Sequence, residues 1–431
     1  MFERVSADSA CVLVHAAVGA DAQAEDSERE EFVELARSAG LAPQAQLNFR
    51  RRSPHPRFYF GRGQAEQLRQ CCARHDVRLA VVNAELSPSQ ERNLEAELEC
   101  RVLGRTGLIL DIFAQRARSH EGKLQVELAQ LNYLSTRLVR GWGHLERQKG
   151  GIGLRGPGET QLELDRRLLT RRVQALRRRL AQVERQRNQS RARRRRARLF
   201  HVALVGYTNV GKSTLFNCLT GSDVPAADQL FATLDPTHRR LCLGRGREAV
   251  LSDTVGFIRD LPVELVRAFH STLEELRECD LLLHVVDCSD ARCTEHAMQV
   301  RRVLAQVGAE EVPVVEVYNK MDRLALEMRH PDMPDRVWVS ARTGAGMKEL
   351  RAHLLQEVRV GESEVHLRLP VPAYPLRAEL HRVGQVEEEW FTEQGECEMR
   401  LWLPLPELLR FERFRVTIPE KPVVGLTGQR G

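Results

Sequence analysis

Over residues 10–117, short apolar runs alternate with stretches that have the periodicity of amphipathic helices. The runs CVLVHAAV, QLNF and RLAVVN favour β-strands, whereas EREEFVELARSAG, GQAEQLRQCCARH and SPSQERNLEAELE favour helices. Strands that alternate with helices are typical of a sheet of parallel strands. The pattern therefore predicts a small α/β domain over residues 1–118.

The next part of the chain carries two seams of apolar residues with coiled-coil spacing. Between the seams lies GWGHLERQKGGIGLRGPG, residues 141–158, whose seven glycines and one proline are incompatible with a helix. Residues 119–198 are therefore predicted to form an antiparallel helical hairpin with a glycine-rich basic tip. The seam residues are Leu124, Leu128, Leu131, Leu138, Leu169, Val173, Leu176, Leu180 and Val183.

A second alternating pattern covers residues 199–360, with strand-like HVALVG, EAVLSD, LLLHVVD, VPVVEVYN and VWVS. Residues 361–431 contain the β-type segments EVHLRL, EMRLWL and RFRVTI around the helical stretch LPELLRFER. The first of these regions is predicted to be an α/β domain, and the second a small α+β domain. The chain as a whole is thus expected to be a multidomain α/β protein.

Composition narrows the class of protein. Hydrophobic residues make up 42% and charged residues 29%, as in ordinary soluble proteins. No apolar run reaches the roughly 18 residues of a membrane span, and the first residues, MFERVSADSA, lack a signal-peptide pattern. The ten cysteines form no CxxC pair, which favours reduced thiols over zinc or disulfides. We expect a cytoplasmic protein that acts as a monomer.

Positive charge is concentrated in one segment. The net charge is +6, but fifteen arginines face a single acid, Glu184, between Arg166 and Arg198. Such a run is often a solvated helix face, yet so many like charges repel one another unless an anionic partner lies nearby. We therefore favour RNA as the partner of this helix, and lipid phosphates at a membrane surface remain the alternative.

A phosphate-binding pattern follows the first strand of the second α/β region. Gly206-Tyr-Thr-Asn-Val-Gly211-Lys212-Ser213 matches GxxxxGK[ST] and precedes the helical run TLFNCLT. In such a loop, backbone N–H groups hold phosphate oxygens, lysine neutralises the β- and γ-phosphates, and the serine hydroxyl ligates Mg²⁺.

Two further segments complete the phosphate end of the predicted site. Asp253-Thr-Val-Gly256 places a carboxylate beside the metal and a glycine N–H at the γ-phosphate. In the segment FATLDPT, residues 231–237, Thr233 is the expected switch residue, and Thr237 is its rival. The predicted catalytic residues are Lys212, Thr233 and Gly256, and the predicted Mg²⁺ ligands are Ser213, Thr233 and Asp253.

Base recognition is assigned to Asn319-Lys320-Met321-Asp322 and Ser340-Ala341, which resemble the motifs of translation-factor and Ras-like GTPases. The Asp322 carboxylate can accept hydrogen bonds from N1–H and the 2-amino group of guanine, so GTP is favoured over ATP. The predicted nucleotide-binding residues are Gly206, Tyr207, Thr208, Asn209, Val210, Gly211, Lys212, Ser213, Thr214, Phe231, Ala232, Thr233, Leu234, Asp235, Asp253, Thr254, Val255, Gly256, Asn319, Lys320, Met321, Asp322, Ser340, Ala341 and Arg342.

Two positions bear on the rate of hydrolysis. Phe257 stands where Ras-like enzymes carry the glutamine that orients the attacking water, so intrinsic hydrolysis is expected to be slow. Asn209 matches the position that helps to hold potassium in GTPases of the Era and MnmE type. Potassium is therefore a candidate second ion, and a purely structural asparagine is the alternative.

The chain resembles the HflX family of bacterial GTPases over nearly its whole length. The resemblance is carried by GGIGLRGPGETQLE at residues 150–163, by the loop GYTNVGKSTLFN, and by FATLDPT and DTVGFI. It implies an N-terminal α/β domain, a helical hairpin, a GTPase domain and a small C-terminal domain. It also implies GTP-dependent splitting of stalled ribosomes on the large subunit. Binding of ATP is implied as well, and ATP is expected to be the weaker ligand because adenine offers Asp322 neither N1–H nor a 2-amino group.

Within the tip, Arg147, Lys149 and Arg155 are the candidate contacts to ribosomal RNA, because cations among glycines can follow an irregular phosphate surface. A solvated linker is the alternative interpretation of this segment. Two other functions stay open: a GTPase that assists large-subunit assembly or RNA modification, and a signalling GTPase at a membrane surface.

Overall fold

The computed structural model describes residues 9–18, 22–141, 157–196, 199–223, 229–244, 247–259, 265, 273–324 and 336–416. Its contacts divide the chain into two compact units. One unit is Met1–Arg240 with Val250–Met347, and the other is Leu241–Ala249 with Lys348–Gly431. The predicted class, a multidomain α/β protein, is confirmed. The four predicted domain ranges cut the chain more finely and stay a prediction.

The N-terminal region forms a parallel four-stranded sheet in the order β2-β1-β3-β4. Apolar residues of the two inner strands, such as Val12 and Val82, pack with Leu68 and Leu94 in one core. The elements are β1 (Ser9–Val18), α1 (Ala22–Ser38), β2 (Leu41–Arg51), α2 (Arg62–Arg74), β3 (Leu79–Val82), α3 (Pro88–Leu98), β4 (Arg101–Gly104) and α4 (Arg105–Arg116).

The predicted hairpin consists of α5 (His120–Gly141) and α6 (Pro157–Arg196). Leu124, Leu128 and Leu176 are buried between the helices, as the coiled-coil spacing predicts. At 1.5 Å per residue, the 40-residue α6 spans roughly 60 Å. The tip, 142–156, lies outside the described residues, and so do the predicted RNA contacts Arg147, Lys149 and Arg155.

The GTPase region contains a six-stranded sheet in the order β10-β9-β8-β5-β7-β6. Strands β5, β8, β9 and β10 are parallel, so the ends of β5 and β9, Gly206 and Asn319, lie at the same edge. Ligands of open α/β sheets bind outside this edge. The elements are β5 (Phe200–Gly206), α7 (Lys212–Thr220), β6 (Thr237–Gly244), β7 (Arg247–Asp253), β8 (Leu281–Asp287), α8 (Cys293–Gln306), β9 (Val314–Asn319), β10 (Arg336–Trp338) and α9 (Met347–Val358).

The C-terminal region is an antiparallel sheet in the order β11-β13-β12. The prediction of a strand over RFRVTI is wrong in the described part: a 3₁₀ turn covers Glu412–Phe414, and Arg415 makes one isolated bridge to Leu367. The third strand is β12 instead. The elements are β11 (Glu362–Leu369), α10 (Pro375–Val383), β12 (Gln385–Phe391), β13 (Cys397–Pro404) and α11 (Leu405–Phe411).

None of the helices in the described ranges is both long enough and apolar enough to span a bilayer.

Candidate nucleotide site

The phosphate loop connects β5 to α7, and two of its glycines are required by their surroundings. Gly211 has a φ of +90°, and a Cβ atom there would lie 2.4 Å from Asn319 Nδ2. A Cβ atom at Gly206 would lie 2.4 Å from the Val285 carbonyl oxygen. Real Cβ atoms do not approach other atoms so closely, so only glycine lets the loop wrap against β8 and β9.

Lys212 lies at the first turn of α7 with only 6% of its surface exposed. Its Nζ atom donates to the carbonyl oxygens of Gly206, at 3.1 Å, and Tyr207, at 2.7 Å. Burial lowers the pKa of the Lys212 ammonium to about 8, and the nearby Asp253 carboxylate opposes this shift. A cation destabilised by burial is stabilised by an incoming anion, which is the property that a phosphate site needs.

Three oxygen-bearing side chains that lie apart in sequence meet beside the lysine. The Ser213 hydroxyl lies 2.7 Å from Asp253 Oδ2 and 2.8 Å from the Thr233 hydroxyl, and the Thr233 hydroxyl lies 2.8 Å from the same Asp253 oxygen. Asp253 is fully buried, its Oδ1 atom has no hydrogen-bond partner in the described part of the chain, and burial raises its pKa. This set of hard oxygens, with one buried oxygen unsatisfied, fits a small divalent cation such as Mg²⁺.

Gly256 lies next to both the loop and the lysine. A Cβ atom at Gly256 would lie 2.8 Å from Thr208 Cγ2 and 3.1 Å from Lys212 Nζ. A side chain at this position would therefore collide with the groups that surround the phosphate end of the cavity.

Phe257, which follows Gly256, points into the protein core and is 1% exposed. Its backbone is tied to the phosphate loop: Phe257 N–H donates to Gly206 O at 3.1 Å, and Thr208 N–H donates to Phe257 O at 2.7 Å. The side chain at this position therefore has a packing role and does not line the cavity.

At the opposite end of the cavity, Asn319 joins two loops. Its amide nitrogen donates to the Val210 carbonyl at 2.8 Å, and its amide oxygen accepts from Ala341 N–H at 3.0 Å. Lys320 donates to the Asn209 carbonyl at 2.8 Å and pairs with Asp287 at 2.7 Å. Asn319 and Lys320 thus hold the phosphate loop and the segment around Ala341 in register.

Asp322 lies on the exposed rim of the same end. Its Oδ1 atom accepts a hydrogen bond from the Ser340 hydroxyl at 2.7 Å, and this bond lowers the pKa of Asp322. The side chain is therefore an ionised acceptor at neutral pH, in a fixed orientation.

These groups surround a cavity of about 300 Å³, a size typical of small-molecule sites. Sixteen of the predicted residues line it: Thr208, Asn209, Gly211, Lys212, Ser213, Thr214, Phe231, Ala232, Thr233, Thr254, Gly256, Asn319, Lys320, Asp322, Ala341 and Arg342. Gln229 and Arg323 also line it, although the motifs did not single them out. The predicted residues outside the lining are Gly206, Tyr207, Val210, Leu234, Asp235, Asp253, Val255, Met321 and Ser340.

The N-terminal region reaches the loops around the cavity through a group of polar residues that sequence motifs did not indicate. The Tyr207 hydroxyl donates to Glu31 of α1 and accepts from Arg259 N–H at 2.8 Å. Burial, together with the Glu31 carboxylate, raises the pKa of Tyr207. Arg105 of α4 pairs with Glu31 and donates to the Arg259 carbonyl at 3.1 Å. No local signal predicts these contacts, because the partners are far apart in sequence.

In the described part of the chain, no group of three or more His, Cys, Asp or Glu side chains could hold another metal ion.

Comparison with known proteins agrees with this geometry. Residues 26–114 match the family described as GTP-binding GTPase N-terminal, residues 116–194 match GTP-binding GTPase Middle Region, and residues 201–320 match 50S ribosome-binding GTPase. The GTPase HflX of Escherichia coli K12 is 49% identical over 95% of this chain and 97% of its own length. The GTPase HflX of Magnetococcus marinus is 47% identical over 83% and 84%.

Among solved structures, a GTP-binding protein from Sulfolobus solfataricus in complex with GDP is 23% identical, with a TM-score of 0.44, over 81% of this chain and 98% of that chain.

Proposed function

Because the chain belongs to the HflX family of GTPases, we propose that it binds the large ribosomal subunit and uses GTP binding and hydrolysis to split stalled ribosomes. The chain binds guanine nucleotides and hydrolyses GTP, as its family does. Ribosomal RNA is its proposed recognition partner, and the cytoplasm is its proposed location.

The observation that carries the proposal is the charge on α6. Eight arginines on the described face of this helix are exposed, and the helix belongs to the same compact unit as the nucleotide cavity. These cations extend over roughly 30 Å of the helix, from Arg166 to Arg185, and such a row of cations suits a polyanion with a regular phosphate spacing. The exposed arginines are Arg166, Arg167, Arg171, Arg172, Arg177, Arg178, Arg179 and Arg185.

In the proposed site, Ser213, Thr233 and Asp253 would hold Mg²⁺. The ion, when bound, neutralises charge that develops on the transferred phosphoryl group. Lys212 would neutralise the β- and γ-phosphates, and the Gly256 N–H would donate to the γ-phosphate. Thr233 would ligate Mg²⁺ together with the γ-phosphate of GTP, so its contribution to binding is expected with GTP and not with GDP.

The attacking water has no partner at position 257, because the Phe257 side chain is buried in the core. We therefore propose that the ribosome, or a rearranged loop, completes the catalytic site. Potassium held near Asn209 is a second candidate for this role.

Guanine selectivity is assigned to Asp322. Its carboxylate, oriented by Ser340, accepts from both N1–H and the 2-amino group of guanine, whereas adenine offers neither donor at these positions. ATP would leave the carboxylate unpaired and should bind more weakly.

Co-sedimentation with purified ribosomal subunits tests the proposal. With a non-hydrolysable GTP analogue the protein should sediment with mature large subunits, and with GDP it should stay in the supernatant. Binding only to precursor particles would favour an assembly role instead. Binding to anionic vesicles but not to subunits would favour a membrane-surface role.

A further inference from the structure

Asp235 lies two residues after the proposed metal ligand Thr233, yet its carboxylate points away from the cavity. It accepts hydrogen bonds from the backbone N–H groups of Arg118, at 2.8 Å, and Ser119, at 2.7 Å, and from the Ser119 hydroxyl. These residues immediately precede α5, the first helix of the hairpin. The switch segment and the base of the hairpin are thus joined by one side chain.

The Asp235 carboxylate also packs closely against the first turn of α5. The Ser119 hydroxyl oxygen accepts from Gly122 N–H at 2.8 Å, so it caps the first turn of α5. A Cβ atom at Gly122 would lie 2.3 Å from Asp235 Oδ1. The carboxylate therefore lies directly against the helix N-terminus, where the helix dipole stabilises a negative charge.

The other side of Thr233 is also anchored to the N-terminal region. Leu230 N–H donates to the Ser38 hydroxyl at 3.1 Å, and the ring of the buried Phe231 lies 4.7 Å from the ring of Phe113. The residues on both sides of Thr233 are therefore fixed by contacts with the N-terminal region and the start of α5. The position of Thr233 depends on the placement of α4 and α5 relative to the GTPase sheet.

We propose that Asp235 is a positioning residue that couples the Thr233 hydroxyl to the N-terminus of the hairpin helix α5. This inference rests on the proposed role of Thr233 as a ligand of GTP-bound Mg²⁺. Because binding equilibria at two coupled sites influence each other equally, displacement of α5 weakens GTP, and GTP stabilises one placement of α5. Thr233 contributes to binding of GTP but not of GDP, so the coupling appears in the ratio of the two affinities.

The test uses the full chain with Asp235→Ala, the conservative Asp235→Asn and the control Glu311→Ala, which removes an exposed carboxylate elsewhere in the GTPase region. Affinities for fluorescent GTP and GDP analogues are measured by titration, with saturating Mg²⁺ and with EDTA. Thermal unfolding and the fraction of binding-competent protein serve as folding controls.

Asp235→Ala should lower the GTP-to-GDP affinity ratio about fivefold with Mg²⁺, because the segment that carries Thr233 then loses its hydrogen bonds to the start of α5. The loss should disappear in EDTA, where Thr233 has no metal to ligate. Asp235→Asn should recover part of the ratio, since an amide oxygen still accepts from the two N–H groups, and Glu311→Ala should leave the ratio unchanged. An equal loss of GTP and GDP affinity in Asp235→Ala would mean that the residue is only a helix cap, and would overturn the inference.

A double-mutant cycle with Ser119→Ala supplies a second readout. If the two side chains act through one contact, the ratio in the double variant should fall less than the product of the single effects predicts. Independent effects would contradict the coupling. Should Asp235→Ala fail to fold, Asp235→Asn and Ser119→Ala carry the same comparison.

Thr233→Ala separates this inference from the proposed function. If Thr233→Ala leaves the ratio unchanged, the proposed metal role of Thr233 fails. If Thr233→Ala lowers the ratio and Asp235→Ala does not, the metal role stands and the coupling through Asp235 is refuted.

Discussion

The buried Lys212 ammonium should make GTP binding depend on pH in a range where most lysines do not titrate. In the free protein its pKa is about 8, because burial disfavours the charged form. Bound phosphates favour the charged form and raise this pKa. The affinity is therefore greatest well below pH 8 and decreases as the pH rises through the pKa of the free protein.

The magnitude follows from this value. With a pKa of about 8, the affinity at pH 8.5 should be about fourfold lower than at pH 7, and binding at pH 8 should take up about half a proton. Two other groups near the site titrate well below this range: the pKa of His284 is about 4, and the pKa of Asp322 is lowered by its bond from Ser340.

Calorimetric titration with Mg²⁺-GTP at pH 8, in two buffers of different ionisation enthalpy, measures the proton uptake directly. Lys212→Arg is the matched control, since a guanidinium stays charged throughout this range and should abolish the uptake. Zero uptake by the unaltered protein, or the same uptake by Lys212→Arg, would refute the assignment.

Three further outcomes are expected. Asp322→Asn should lower the affinity for GTP and raise the affinity for xanthine nucleotides, whose C2 carbonyl meets an amide donor. Competition titrations with guanine and xanthine nucleotides check this, and an unchanged preference would mean that Asp322 does not recognise the base. The free protein should hydrolyse GTP slowly and large ribosomal subunits should accelerate it, since Phe257 is buried; phosphate-release kinetics with equal rates in both conditions would contradict completion by a partner. Replacing residues 147–158 by an equally long Gly/Ser linker should leave GTP affinity intact and abolish subunit splitting in a light-scattering assay; splitting at the unaltered rate would refute a functional tip.

The phosphate end of the site was predictable because its chemistry constrains local sequence. A loop that offers backbone N–H groups to phosphate needs glycines at fixed spacing, and Gly206 and Gly211 indeed lie where a Cβ atom would collide. The carboxylate, the lysine and the amide each follow an apolar strand, so their common edge of the sheet follows from the strand pattern. Asp253 and Asn319 accordingly both contact the phosphate loop or the residue that follows it.

The contacts of Asp235 could not be predicted in the same way. Its partners lie about 116 positions earlier in the chain, and nothing in FATLDPT shows which residues of the motif face the nucleotide. Gln229 lines the cavity without belonging to any motif. Long-range pairing of this kind depends on how α4 and α5 pack against the GTPase sheet.

Two elements that the sequence pattern does not predict, α4 and β12, lack the alternation of apolar and polar residues expected of a helix or strand on a protein surface. Residues Thr106–Phe113 of α4 are buried on all sides, so this helix has no polar stripe. Strand β12 has the opposite character: none of its residues is fully buried, and it contains three consecutive glutamates. The segment RFRVTI alternates polar and apolar residues, as a strand does, but its first two residues belong to a 3₁₀ turn.

The placement of the hairpin has a consequence for how such a GTPase can work. The residues proposed to bind and hydrolyse GTP all lie between Gly206 and Arg342, within the GTPase region. Yet α1 contacts Tyr207, α4 contacts Phe231, and the residue before α5 contacts Asp235. These three residues flank the proposed metal ligands in the sequence. A displacement of α5 is therefore transmitted to the switch segment directly, through the hydrogen bonds that Asp235 accepts from Arg118 and Ser119. This arrangement allows a displacement of α5 to alter the position of Thr233.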